Sequence, residues 1–217
     1  MALPTTRAVL PMLAVYMVLL LVLATVLSGP AFQLTFSEHG IVEMINAVAW
    51  LIVALLFARI AWRGRELVAV LSVFPLFAAA LREADLHTAF TGYSVLKVSF
   101  WFDGRFEPLH KLLAAAVLLP TLVSLGWLAV LLVRRLRMGD LGRPAISMLL
   151  LAIGLLVFSK ACDRAPAVLL ESYGVDLPAF VRRWTQALEE GIELTLPAFF
   201  AWAYFLRGEP RGRKRIA

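Results

Sequence analysis

The stretch "LHKLLAAAVLLPTLVSLGWLAVLLV" (Leu109–Val133) decides the class of fold. After His110 and Lys111 it contains no charged residue before Arg134. A helix needs ~20 consecutive, mostly apolar residues to cross the hydrocarbon core of a bilayer. This stretch alone therefore predicts a membrane-spanning helix.

Other apolar stretches lie on both sides of it, and together they predict an all-α, polytopic membrane helix bundle of about six transmembrane helices. The predicted spans are 9–28, 41–62, 67–82, 109–133, 145–162 and 191–206. Because these spans leave no room for a sizeable soluble domain, residues 1–217 are expected to form a single integral membrane domain. The first span is too long for an ordinary signal peptide, which favours an uncleaved anchor.

The overall composition supports this prediction. Hydrophobic residues make up 61% of the chain and charged residues 17%, whereas a soluble domain has about half and about a quarter. The net charge of +6 comes from residues grouped in short segments beside apolar spans, so nucleic acid is not expected as a partner. The single cysteine, Cys162, cannot form a disulfide within the chain.

The distribution of Lys and Arg predicts an orientation. Most of these residues follow the second, fourth and sixth predicted spans or precede the first. Basic residues in short loops mark the cytoplasmic side of a membrane protein. Both termini are therefore predicted to be cytoplasmic, in an inner membrane of the bacterial type, with the lipid bilayer as the first partner.

A second pattern precedes the sixth span, in "VDLPAFVRRWTQALEEGIEL" (Val175–Leu194). Asp176 is expected to cap a helix whose residues Phe180, Trp184 and Leu188 share one face, since they are four residues apart. Arg182 and Arg183 would point elsewhere. The pattern predicts an amphipathic external helix that lies on the membrane surface.

Acidic residues and all three histidines gather at the predicted external ends of the spans. In "LREADLH" (Leu81–His87), Glu83 and His87 are four residues apart, as are His39 and Glu43 before the second span. Residues at this spacing share a helix face if the helix is continuous. Because charges in apolar sequence are costly, these groups are expected to meet in a polar cavity near the external membrane boundary.

The leading functional hypothesis is a metal-dependent hydrolase or transferase that acts on a lipid or lipid-linked substrate. The predicted catalytic groups are Glu43, Glu83, His87, Asp163 and Glu193, with Lys160 as counter-ion or anion clamp. The predicted metal ligands are His39, Glu83, His87, His110, Asp163 and Glu190. Imidazole and carboxylate ligands suit Zn, Mn or Fe, and a metal-bound water could attack an ester or phosphoester.

Three alternatives stay open at this point. Cys162, Ser159 or Ser172 could act as a nucleophile without a metal. The same ionisable groups could serve a proton- or ion-coupled transporter. They could also form a buried ion-pair network in a non-catalytic structural, sensor or partner subunit, because such networks often fix helix packing without any chemistry.

Overall fold

The computed structural model describes residues 6–37, 39–89 and 92–208, and across these ranges the regular structure is helical, with no strand. The helices are α1 (Thr6–Val26), α2 (Gly29–Phe36), α3 (Ile41–Gly64), α4 (Leu67–Glu83), α5 (Leu86–Ala89), α6 (Val98–Phe102), α7 (Pro108–Arg137), α8 (Pro144–Tyr173) and α9 (Ala179–Phe205). The all-α prediction is confirmed. The basic C-terminal sequence beyond Gly208, expected to help orient the sixth span, lies outside the described residues.

Four segments of the described chain are long and apolar enough to cross a membrane. They are α1, α7, α8 and the segment Gly29–Gly64, which contains α3. They correspond to the first, second, fourth and fifth predicted spans. The six-span bundle is not confirmed, because α4 has only 17 residues and the first half of α9 carries several charged residues.

Two predicted helix faces do not exist, because the chain leaves the helix between the paired residues. Helix α4 ends at Glu83, and Asp85 adopts a positive φ of 52° before His87 enters the single turn α5. Likewise His39 has a φ of 69° and precedes the start of α3. A positive φ is uncommon for a residue other than glycine, and it lies outside the α-helical region of backbone conformation. The prediction that His39 and Glu43, and Glu83 and His87, share helix faces is therefore wrong.

Helix α8 extends well beyond the predicted end of the fifth span at residue 162. It continues through Pro166 to its last residue, Tyr173. Gly174 follows, and its φ of 66° is typical of a glycine that terminates a helix. The polar residues Lys160 and Asp163 thus lie inside a continuous helix. The first part of the segment expected between the fifth and sixth spans is therefore a continuation of α8.

The helices group into two compact units. The first contains α1, α2, α8 and α9, and the second contains α3 to α7, starting at Glu43 within the first turn of α3. In the first unit α9 packs along α8 and also against α1, while in the second α4 packs against α7.

The contact of α9 with α1 and α2 is tight and apolar. A core of Leu20, Ala24, Phe32, Phe36 and Ala187 is buried there, and Trp184 and Leu188 pack against it. A Cβ on Gly191 would overlap the side chain of Leu20, so glycine permits this close approach.

The N-terminal half of α9 therefore differs from the predicted surface helix. Trp184 packs on the core and donates its indole N–H to the Thr25 hydroxyl at 2.9 Å. Arg183, expected to point elsewhere, donates to the Leu27 carbonyl at 2.6 Å and lies 4.5 Å from the Phe32 ring centre. Asp176 pairs with Arg182 at 2.5 Å and does not cap the helix, whose N-cap position is Pro178. One face of this segment covers α1 and α2, while Phe180 is exposed.

Candidate functional site

A network of four polar side chains joins α8 to α9. The Lys160 ammonium lies 2.5 Å from Glu193 Oε1 and 3.6 Å from Glu189 Oε1. The Ser159 hydroxyl donates to the same Glu193 oxygen at 2.6 Å. We call Ser159, Lys160, Glu189 and Glu193 the α8–α9 network. It brings together Lys160 and Glu193, as the sequence predicts.

Helix geometry explains the arrangement. Glu189 and Glu193 are four residues apart on α9 and therefore share a face. Ser159 and Lys160 are neighbours on α8, and the lysine has a long, flexible stem that lets its ammonium reach both carboxylates. Two successive turns of α9 thus meet a single turn of α8.

The four side chains of the α8–α9 network differ in their exposure. Ser159 is fully buried and Glu193 is only 6% exposed. The side chains of Glu189 and Lys160 are 19% and 33% exposed. A buried carboxylate is costly unless it is paired and hydrogen-bonded, and Glu193 has both kinds of partner. The inner half of the network is therefore fixed, while the outer half is partly accessible.

Glu189 precedes the predicted span 191–206 and titrates near neutrality. Burial raises the pKa of its carboxyl from 4.5 to about 7, and the negative charges of Asp163 and Glu193 act in the same direction. Lys160 lowers that pKa, but its effect is outweighed. The proximity of Lys160 favours an ionised Glu189, and the pKa near 7 means that protonated and ionised forms coexist at neutral pH.

From the sequence, Ser159 is predicted only as a candidate nucleophile, and Glu189 is not among the predicted site residues. The spacing of Glu189 from Glu193 was the available signal. Cys162, a second candidate nucleophile, is buried, while Ser172, a third, is exposed near the end of α8.

A second polar contact joins α3 to α4 in the other unit. Asn46, the only asparagine of the chain, is 1% exposed and donates its amide to Glu83 Oε2 at 2.7 Å. Arg82 lies 3.2 Å from the other Glu83 oxygen. The buried Asn46 Oδ1 has no hydrogen-bond partner. Asn46 is not among the residues predicted from the sequence, although an amide within an apolar span is a usable signal.

The remaining predicted site residues lie in several elements. His39 occupies the turn before α3 and Glu43 its first turn, while His110 lies in the first turn of α7. His87, in α5, has its Nδ1 4.0 Å from Asp85 Oδ1. Asp163 lies on α8, one turn beyond Lys160, and Glu190 lies on α9.

The predicted metal ligands are not gathered into a site. Within residues 6–37, 39–89 and 92–208, no three His, Cys, Asp or Glu side chains are grouped so that they could hold a metal ion. The hypothesis of a Zn, Mn or Fe centre therefore gains no support from the described part of the chain.

Comparison with known proteins gives no family for this chain, since it matches no protein-family model, no curated protein and no solved structure. The class that the fold defines is an all-helical protein with several helices compatible with membrane insertion. Its function therefore has to be inferred from the chemistry of its own residues.

Proposed function

We propose that this chain is an integral membrane enzyme of the hydrolase or transferase type, which acts on a lipid or lipid-linked substrate at the α8–α9 network. The location proposed is an inner membrane of the bacterial type, with both termini in the cytoplasm. The four apolar segments and the grouping of Lys and Arg support this location.

One observation carries the proposal, namely the position of Lys160 between a buried and a partly exposed carboxylate. Glu193 anchors the lysine from the buried side, with Ser159 bound to the same oxygen. Glu189 approaches it from the more accessible side. A reactive group needs this kind of support, because side chains are held in productive geometry by the groups packed behind them.

The accessible half of the network has the chemistry for proton transfer to an anionic substrate. A carboxyl with a pKa of about 7 can both accept and release a proton at neutral pH. An ammonium group is a compact charge that binds phosphate or carboxylate oxygens. We assign Glu189 as the general acid or base and Lys160 as the anion clamp. Glu193 and Ser159 become positioning residues, which changes the acid–base role first predicted for Glu193.

The test uses the full chain, reconstituted with a bacterial polar lipid extract and followed by lipid mass spectrometry. We expect release or exchange of a lipid headgroup, and we expect Glu189→Gln to abolish it without lowering the melting temperature. Glu171→Gln is the matched control, because Glu171 is an exposed carboxylate on α8. Absence of lipid conversion by the unmodified protein, or full turnover by Glu189→Gln, contradicts the proposal.

A second candidate function is a structural one, in which the network only locks α8 to α9. The observation in its favour is that Glu193 Oε1 accepts from both Ser159 and Lys160 while it is almost fully buried. Buried ion pairs often set helix packing without chemistry. In that case Glu193→Gln lowers the melting temperature, and no lipid conversion is detected in the unmodified protein.

A further inference from the structure

The short helix α6 and its flanking turns form a small folded motif between α5 and α7. Phe100 is fully buried at its centre and contacts the rings of Trp101 and Phe106, with ring centres 5.3 and 4.7 Å away. The Trp101 indole donates to the Val95 carbonyl at 3.1 Å. Because its core is packed, the motif holds its other side chains in defined positions.

The opposite face of this motif is apolar and exposed. Val98 and Phe102 are four residues apart and are 73% and 85% exposed, and the neighbouring Leu96 is half exposed. Contiguous apolar side chains that a fold holds outward usually mark a surface that contacts a protein or a membrane.

The motif is tied to the start of α7. The Lys111 ammonium donates to the Asp103 carbonyl at 2.8 Å, and Asp103 directly follows Phe102. The start of α7 is also apolar and exposed, since Leu109, Leu112 and Leu113 are all more than half exposed. Lys111 therefore ties α6 to an exposed apolar stretch of α7.

The length of the uncharged stretch of α7 sets its depth in a bilayer. Residues 112–133 extend about 33 Å at a rise of about 1.5 Å per residue, which matches a hydrocarbon core of about 30 Å. Lys111 is therefore expected at the level of the lipid headgroups, where lysine side chains commonly lie. Phe102, one residue from the carbonyl that Lys111 binds, is held near the same level.

We propose that α6 is an interfacial anchor, whose residues Leu96, Val98 and Phe102 insert into the lipid leaflet at the N-terminal end of α7. The occupant of this face is the bilayer itself, because Lys111 ties α6 to the start of α7, a helix long and apolar enough to cross a membrane. Short apolar segments that lie in the interface contribute to membrane binding in this way. The inference rests on the proposed membrane location, but not on the proposed chemistry.

Spin labels at single cysteines test the depth of this face. The labels replace Val98, Phe102, Glu107 and Leu119 in a Cys162→Ala background, and each protein is reconstituted in phosphatidylcholine vesicles. Collision with oxygen reports the hydrocarbon phase, and collision with a water-soluble nickel chelate reports the aqueous phase. Glu107 is an exposed acid before α7, and Leu119 is an exposed residue in the middle of α7.

We expect the ratio of oxygen to nickel collisions at positions 98 and 102 to be several-fold higher than at 107 and to approach that at 119. If the collision ratios at positions 98 and 102 resemble that at 107, while the ratio at 119 is high, the anchor is overturned and the membrane location is retained. If 119 also resembles 107, α7 does not cross the bilayer, and both the location and the anchor are overturned.

Discussion

Two regions of this protein bury a carboxylate between helices, and they neutralise it differently. In the α8–α9 network, the cation Lys160 crosses from one helix to Glu193 on the other. In the contact of α3 with α4, the neutral amide of Asn46 crosses to Glu83, while the cation Arg82 is the next residue on the same helix. The charge pair joins the helices in the first case, and an amide hydrogen bond joins them in the second.

The difference matters because the two contacts are expected to respond unequally to the loss of a partner. Removing one member of a buried ion pair leaves an uncompensated charge, which costs about 3–5 kcal/mol. Removing a neutral hydrogen-bond donor costs about 1–3 kcal/mol. The unit that contains α8 and α9 should thus be more sensitive to changes of its polar residues and of pH than the unit that contains α3 and α4.

The largest expected effect is that of Glu193→Ala. The substitution removes the acceptor of both Lys160 and Ser159, so we expect the free energy of unfolding to fall by about 3–5 kcal/mol. Thermal or denaturant unfolding in detergent micelles measures it, with Glu171→Ala as the exposed control. A loss below about 1 kcal/mol, which is typical of an exposed pair, would remove the distinction between the two regions.

The next effect concerns pH. Because the pKa of Glu189 is raised from 4.5 to about 7 in the folded protein, the folded state holds this proton more tightly than the unfolded state. The stability it contributes is fully present below pH 4.5 and is lost as pH rises through about 7. The loss is on the order of 3 kcal/mol at 1.36 kcal/mol per pH unit.

Glu189→Gln isolates this contribution, because the variant cannot ionise at this position. The difference in melting temperature between the variant and the unmodified protein should grow in favour of the variant from pH 4.5 to pH 7.5. A constant difference across that range would show that Glu189 titrates as it does in the unfolded chain.

A smaller effect is expected at the contact of α3 with α4. Asn46→Ala removes the amide that binds Glu83, and we expect the free energy of unfolding to fall by about 1–3 kcal/mol. Ser72→Ala is a suitable control, since the Ser72 hydroxyl donates to the Val68 carbonyl of its own helix at 2.7 Å. If Asn46→Ala proves as costly as Glu193→Ala, the amide and the ion pair do not differ in the proposed way.

The smallest effect is expected at an exposed ion pair. Arg105 contacts Asp103 at 2.6 Å, and its hydrogen bonds lower the pKa of that carboxyl from 3.8 to about 2. Arg105→Ala should return the Asp103 pKa toward 3.8, as read from carboxyl carbon shifts in NMR, and leave the melting temperature at neutral pH unchanged. A large drop in melting temperature would mean that this turn is more important for folding than its exposure suggests.

The apolar spans were predictable because their signal is local. An uncharged run of sufficient length defines a candidate span without knowledge of its neighbours, and α1, α3, α7 and α8 match their predictions within a few residues at the start. The end of α8 was not predictable in this way, since polarity rises after residue 162 while the helix continues to Tyr173.

The breaks in helical structure between His39 and Glu43 and between Glu83 and His87 were harder to predict. The sequence "EADLH" contains no glycine or proline, so nothing in its composition marks the positive φ of Asp85. The turn at His39 is next to Gly40, which was a usable signal. Both errors came from extending a helical period through a segment whose conformation depends on its surroundings.

The candidate site was predictable in part. Lys160 and Glu193 stand out as charges within apolar sequence, which favours mutual pairing. Their other partners, Ser159 for Glu193 and Glu189 for Lys160, depend on the register with which α8 packs against α9. The spacing of Glu189 and Glu193 indicates that they share a face of α9, but it does not indicate which residues of α8 meet that face.

The most direct test of the central claim is a double-mutant cycle on Lys160 and Glu193. The free energy of unfolding is measured for the unmodified chain, Lys160→Met, Glu193→Gln and the double variant. If Lys160 bridges α8 to Glu193, the double variant should lose about 1–3 kcal/mol less than the sum of the single losses. Additivity within about 0.5 kcal/mol would show that the two side chains do not interact, and would contradict the α8–α9 network as the working centre of this protein.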